Sequence, residues 1–405
     1  MIYHAYEAQA NVLDLLRPFA ATGGAMLRLP RLATEHLWPL HRLAGSLESF
    51  AGLGISSSRR PFAIETVPFG NRTVAVTEEA TFKTPFCTLL RFRKEIEVEQ
   101  PRVLLVAPMS GHFATLLRST VEALLPDHDV YITDWHNIRD VPLVLGAFDL
   151  SAYVNHVIEF LQVLGPGAHV VAVCQPCVPV LAAVALMAED GDAAQPRSMT
   201  LMAGPIDARI NPTKVNELAT DNPISWFKDA LTSKVPHCYK GARRRVYPGF
   251  MQLTAFMSMN IDRHMRSLGD LAKARAEEDH EKYRALQTFY EEYFAVMDLP
   301  AEFYLETVQE VFQEFTLARG LFKADDRLVN TKAIRRTALL TVEGERDDIC
   351  GLGQTLAAHD LCSNLRPYMK SHHVQTGVGH YGVFSGKRWA KEIYPRLRDL
   401  IQMTN

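Results

Sequence analysis

The sequence predicts an α/β fold, a mostly parallel sheet with helices on both faces and one long helical cap insertion. Three observations lead there. Short runs rich in β-branched and aliphatic residues alternate with helical stretches at Arg102–Val106, Asp129–Asp134, His169–Val173, Ser198–Ala203 and Thr337–Val342, the rhythm of strand–helix–strand units. That rhythm is suspended between Asp207 and Val329, where the pattern turns helical, as at Leu271–Met297 and Ala301–Leu317. Finally, His169–Val173 runs into the Ala- and Leu-rich stretch after Pro179 with no room for an ordinary loop.

That third feature sets the fold type. A strand that becomes a helix almost at once is the nucleophile elbow of the α/β-hydrolase fold, usually G-x-S-x-G. On this register the elbow is Ala172-Val173-Cys174-Gln175-Pro176, with Cys174 as nucleophile. Small residues are needed because strand and helix backbones approach closely, and Ala172 is the next smallest choice after glycine. Pro176 and Pro179 fall in the first helical turn, where a missing N–H costs little. A thiol in place of a hydroxyl keeps the geometry and is more readily ionised by a neighbouring histidine. Cys177, expected one turn into the helix, is the competing candidate, although a buried cysteine there is usually inert.

Composition bounds the rest. The 405 residues hold a large α/β domain plus an insertion of roughly a hundred residues, with 47% hydrophobic and 22% charged residues as in ordinary globular chains. The expected organisation is an N-terminal helical segment over 1–60, a core from 61–207 and 330–405, and a helical cap over 208–329. A net charge of -3 argues against a general nucleic-acid binder. Six cysteines show neither metal-ligand spacing nor a dense disulfide framework, so no cofactor or metal is expected. Met1–Glu7 lacks the basic start and apolar core of a signal peptide. No apolar run approaches the ~20 residues that span a bilayer, so the reducing cytoplasm is the expected compartment.

In chain order, the N-terminal helices carry apolar residues at Leu13, Leu16 and Phe19 and again at Met26, Leu27 and Leu29. They are expected to pack on the sheet, and a use in homo-oligomer contacts stays open. Phe62–Val67, Arg72–Thr77 and Thr88–Phe92 alternate as an antiparallel leading edge. After the strand Arg102–Val106 comes Ala107-Pro-Met-Ser-Gly-His112. In this fold that loop supplies one oxyanion N–H and the residue after the nucleophile the other, which selects the backbone groups of Met109 and Gln175. The strand from Asp129 leads to Trp135 and His136 at the carboxyl edge, where open α/β sheets place their sites; both are candidate substrate contacts, His136 equally a plain loop histidine. Within the cap, Phe250, Met251, Phe256, Met257 and Met259 crowd a short window. They are either the cap's own core or, with Phe256 and Met257 foremost, a surface for a greasy substrate.

Glu343-Gly-Glu-Arg-Asp-Asp348 follows the strand at Thr337–Val342, and a strand ending in G-x-x-D selects Asp347 as the triad acid, with Asp348 as alternate. Ser371–Gln375 is a short strand leading to His380, with Tyr381 beside it as a further substrate-contact candidate. His372 and His373 lie inside that strand and are poorer base candidates. The order nucleophile, acid, histidine is the α/β-hydrolase order.

Val173-Cys-Gln-Pro with Val-Pro179, Thr133-Asp-Trp-His-Asn137 and Gly379-His-Tyr-Gly-Val-Phe-Ser-Gly386 resemble the intracellular polyhydroxybutyrate depolymerases over most of the chain. The resemblance implies a Cys174–Asp347–His380 triad hydrolysing stored amorphous poly(3-hydroxybutyrate), with granules in the bacterial cytoplasm as location and partner. The related polyhydroxyalkanoate synthases share the triad type and a Trp-containing loop, but their G-x-C-x-G-G elbow has two glycines that are absent here. Two further readings therefore stand beside hydrolysis: an acyltransferase, of synthase type or passing the acyl group to coenzyme A, and a non-catalytic granule protein.

Overall fold

The computed structural model describes residues 54–259 and 261–405, together with Tyr3, residues 18–22, 25 and 26, Ala44, and residues 47 and 48. Leu13, Leu16, Leu27 and Leu29 lie outside the described residues. Of the N-terminal segment, Tyr3 is buried and donates its hydroxyl to Asp298 at 2.6 Å, whereas Phe19 and Met26 are exposed.

The core is a nine-stranded sheet. In chain order its strands are β1 (Thr66–Phe69), β2 (Arg72–Lys83), β3 (Cys87–Lys94), β4 (Arg102–Val106), β5 (Asp129–Trp135), β6 (His169–Val173), β7 (Ser198–Met202), β8 (Ala338–Gly344) and β9 (Lys370–Gln375). Their spatial order is β1-β2-β3-β5-β4-β6-β7-β8-β9. β1, β2 and β3 pair antiparallel, and β3 pairs antiparallel with β5; every ladder from β5 to β9 is parallel. With the elbow after β6, this is an α/β-hydrolase fold.

Burial explains why the central strands read as continuous apolar runs. β6, β7 and β8 are buried at every position, as a parallel sheet covered on both faces requires. Helices α1 (Arg118–Leu124), α2 (Leu150–Leu164) and α3 (Cys177–Asp190) cover it. In α3 every residue from Cys177 to Met187 is buried, and each fully buried Val or Leu contributes about 1.5–3 kcal/mol. Asp149 caps α2 by accepting from the Ala152 N–H at 2.7 Å. The expected alternation at Phe62–Val67 reflects burial of Phe62 and Ile64 rather than pairing, because the strand begins only at Thr66.

Between β7 and β8 lie helices α4 (Lys214–Asp221), α5 (Ile224–Leu231), α6 (Gly249–Met259), α7 (Ile261–Ala276), α8 (His280–Tyr293) and α9 (Ala301–Glu306). The insertion is not purely helical. Ser233–Lys234, Arg245–Tyr247 and Leu299–Pro300 form a small antiparallel sheet, and Lys323–Ala324 pairs with Arg327–Leu328. The apolar window on α6 divides between two interiors: Phe250 and Met251 pack against the main core, and Met257 against a cluster of Leu253, Tyr290, Tyr293 and Val296. The side chains of Phe256 and Met259 lie outside the described residues.

Candidate active site

The elbow is strained where the sequence places it. Cys174 has φ +68°, a left-handed conformation uncommon for a residue with a side chain and recurrent at functional positions. Its N–H donates to Met202 O at 2.7 Å, and its carbonyl accepts the Cys177 N–H at 3.1 Å. Pro176 is the N-cap of α3 and Cys177 its first residue, so Cys177 opens the helix rather than lying one turn into it. The two thiols have opposite surroundings. Cys174 is half-buried, whereas Cys177 is fully buried, with Sγ 3.5 Å from Ala172 O and 3.6 Å from Met202 O. Burial pushes the Cys177 thiol well above its ordinary range, which disfavours the thiolate.

The close approach expected of the flanking glycines is met by a residue from the neighbouring strand end. A Cβ on Gly204 would lie 2.2 Å from Cys177 Cβ and 2.8 Å from Cys174 O. Gly204 is fixed by Thr355, whose Oγ1 accepts the Gly204 N–H and donates to its carbonyl, both at 2.9 Å.

Asp347 follows β8 and His380 follows β9, neighbours in the sheet. The His380 Nδ1–H donates to Asp347 Oδ2 at 2.8 Å, with side-chain exposures of 5% and 1%. The other carboxylate oxygen of Asp347 accepts the N–H groups of Ile349 and Cys350 at 2.9 Å each. Burial opposes charge on His380, but Asp347 and the nearby Cys174 outweigh it and hold the imidazole well above its ordinary value. Asp348 is exposed. Behind the pair sits Glu343, which belongs to β8 rather than to the loop after it. It is 2% exposed and accepts the N–H groups of Gly353, Thr355 and Leu356. Glu343 thereby ties the loop beyond Asp347 to Gly204 through Thr355.

The loop after β4 is clamped at Ala107. Its N–H donates to Thr133 Oγ1 at 2.9 Å, and its carbonyl accepts from Trp135 Nε1 at 2.9 Å and the Tyr153 hydroxyl at 3.0 Å. Met109 is 3% exposed. Its N–H faces Gln175 Oε1 at 3.3 Å, so the two residues named for the oxyanion are adjacent. Farther along, Met297 N–H donates to Gly111 O at 2.8 Å and His112 Nε2 lies 3.1 Å from Tyr293 O, a seam between this loop and the cap. Burial lowers His112 to about 4, so it is neutral.

The candidate substrate contacts divide. Trp135 is 1% exposed and supports the Ala107 carbonyl from inside the core. His136 is tied on both ring nitrogens, Nδ1 to Pro85 O at 3.0 Å and Nε2 to Thr88 Oγ1 at 2.8 Å. Tyr381 stays beside the site, its ring edge-on to His380 at 5.8 Å. His372 and His373 are in β9; His372 Nδ1 meets Thr341 Oγ1 at 2.9 Å, and its Nε2 lies 3.7 Å from Glu343 Oε2. A surface cleft of about 850 Å³ is lined by Arg91 and by residues 93–99, and another of about 400 Å³ by Arg59, Asp134, Trp135, His136, Arg139 and their neighbours. Cys174, Asp347 and His380 line neither. No group of three metal-ligating side chains occurs among the described residues, and no helix among them is long and apolar enough to cross a membrane.

Residues 203–405 match the family model described as PHB de-polymerase C-terminus. The match takes in the strand ends that carry Asp347 and His380 and spans half of the chain. This chain belongs to the PHB depolymerase family. It is therefore a carboxylic ester hydrolase, built on the α/β-hydrolase fold described above. A comparison with curated proteins finds no match. Among solved structures it is similar to a bromoperoxidase from Bacillus anthracis, at 12% identity, covering 81% of this chain and 100% of that one, with a TM-score of 0.49. It is also similar to 2-hydroxy-6-oxo-6-phenylhexa-2,4-dienoate hydrolase from a Rhodococcus strain, at 13% identity, 81% and 99% coverage and a TM-score of 0.44. A thermophilic esterase from Thermogutta terrifontis resembles it at 13% identity, 85% and 99% coverage and a TM-score of 0.41.

Proposed function

We propose that this enzyme hydrolyses stored amorphous poly(3-hydroxybutyrate) in the cytoplasm, through a Cys174–His380–Asp347 triad and a thioester acyl-enzyme. The observation that carries the reading is a strained, half-buried Cys174 facing a buried histidine whose far nitrogen is held by a carboxylate. His380 takes the thiol proton, and the thiolate adds to an ester carbonyl. Asp347 holds Nδ1–H and balances the imidazolium that forms. The oxyanion is met by the backbone N–H groups of Met109 and Gln175, each worth about 3–4 kcal/mol in such sites. Collapse expels the chain's alkoxide, which takes the proton from His380 and leaves a thioester. Water, deprotonated by His380, then attacks the thioester, releasing the acid and restoring the thiol.

Granule association and preference for amorphous over crystalline polymer follow from the same reading. A chain must be drawn under the cap to reach Cys174, and a crystalline chain must first leave its lattice. Incubation with amorphous polymer, with and without coenzyme A, tests the assignment. Free hydroxy acid is expected in both, and from wild type but not from Cys174→Ala. Thioester formed only with coenzyme A would move the enzyme to acyl transfer, and no product at all would make it a granule-binding protein.

A further inference from the structure

The Gln175 side chain is a polar group of the site that this mechanism leaves unused. Its Oε1 accepts the Met109 N–H at 3.3 Å, while its Nε2 is buried without a partner among the described residues. The assignment of the two amide ends is forced by chemistry: a backbone N–H can only donate, so the atom facing it is the oxygen. The nitrogen is then a buried donor with nothing to donate to, a rarity that calls for an explanation. The backbone N–H of Gln175 also has no acceptor among the described residues. A capped Met109 N–H thus sits against Gln175, the residue next to Cys174, which carries two further donors.

We propose that the Gln175 carboxamide is a switching ligand of the oxyanion site. Its oxygen caps the Met109 N–H in the free enzyme, and its nitrogen becomes a third donor once charge develops on the substrate carbonyl. This rests on the acyl-enzyme reading above. The exchange needs only a half-turn about the terminal side-chain torsion, which is soft for an amide. At 3.3 Å the cap lies beyond the usual 2.7–3.2 Å range for such bonds, so it is readily given up. A neutral ester carbonyl is no better an acceptor than the amide oxygen it displaces, so ground-state binding gains little. An oxyanion is a much stronger acceptor, so the gain falls in the transition state and appears in kcat.

Gln175→Met tests this, because it keeps the backbone N–H and the approximate shape but removes both amide functions. With a short soluble ester, kcat should fall by roughly 100-fold, the usual loss for one oxyanion donor, with KM changed by less than a factor of about three. Alkylation of Cys174 by an iodoacetamide-type reagent, and the melting temperature, should stay near wild type. Unchanged or raised kcat would overturn the donor role and leave a mere plug. A rise in KM without a fall in kcat would overturn it too. Should Gln175→Met misfold, Gln175→Glu carries the test. Its carboxylate can cap Met109 but cannot donate, so activity should fall and return as the pH is lowered and the group is protonated; a pH profile parallel to wild type would overturn the proposal. Failure of the underlying reading looks different, since Cys174→Ala would then retain activity.

Discussion

The two halves of the candidate site are held in place by different physics. On the nucleophile side, after β6 and β7, position is set by steric contact: a left-handed Cys174, a buried Cys177 and a Gly204 with no room for a side chain. On the acid–base side, after β8 and β9, position is set by charge and hydrogen bonds. Glu343 gathers three backbone N–H groups, Asp347 gathers two, and Asp347 binds His380. The first half answers to changes in volume and the second to changes in protonation. Thr355 is the joint, bonded to Glu343 through its N–H and to Gly204 through its hydroxyl.

Substitutions can break that contrast, beginning with the largest expected effect. Asp347→Asn should lower kcat by up to about 10⁴-fold, because the wrong histidine tautomer is then favoured. Its cost in stability should depend on pH. His380 has a raised folded-state value, so its contribution is fully present below the unfolded value of about 6.5 and is lost as pH rises through the folded one. Melting temperatures of wild type and Asp347→Asn should therefore differ most near about pH 6 and converge in alkali; a gap independent of pH would remove the charge account. The exposed Asp348, changed to Asn, should cost far less activity.

Gly204→Ala probes the steric half. With Cys177 Cβ at 2.2 Å from the added carbon, it should destabilise by about 1–3 kcal/mol, the usual cost of overpacking. Here the loss should not vary between pH 6 and alkaline buffer, as followed by denaturant unfolding. A strongly pH-dependent loss would show that the two halves are one network. Smallest is Cys177→Ala, a modest truncation expected to cost about 1 kcal/mol while leaving most ester hydrolysis and alkylation of Cys174 intact. Loss of labelling in this variant instead of Cys174→Ala would reverse the assignment of the two thiols.

The sequence discloses whatever is local to a strand end. β6 begins and ends where its β-branched run does, and Cys174, Asp347 and His380 each sit just past a legible strand. What it conceals is set by adjacency in space. Gly204 closes its own strand unremarkably until Cys177 is placed against it, and Tyr153 is one more residue of an amphipathic helix until its hydroxyl reaches Ala107. Glu343 was recoverable, since a carboxylate ending an apolar run invites the question of what binds it. The antiparallel pieces of the cap, two or three residues long, are too short to show a period of two. The ring of His136 is held between Pro85 O and the Thr88 hydroxyl of β3, and no sequence pattern foretells that.

The clamp on Ala107 has a consequence for how a barrier is lowered. Water must turn its dipoles each time a charge appears on a carbonyl oxygen, and that reorientation recurs with every reaction. The two successive peptide groups that meet at Ala107, one held through its N–H by Thr133 and the other through its C=O by Trp135 and Tyr153, resist turning in this way. On the proposed mechanism, the backbone that leads to the Met109 N–H is thus set in place when the sheet assembles, before any ester arrives. On that mechanism, part of the work of catalysis is done by the folding of β4, β5 and α2, before any substrate is bound.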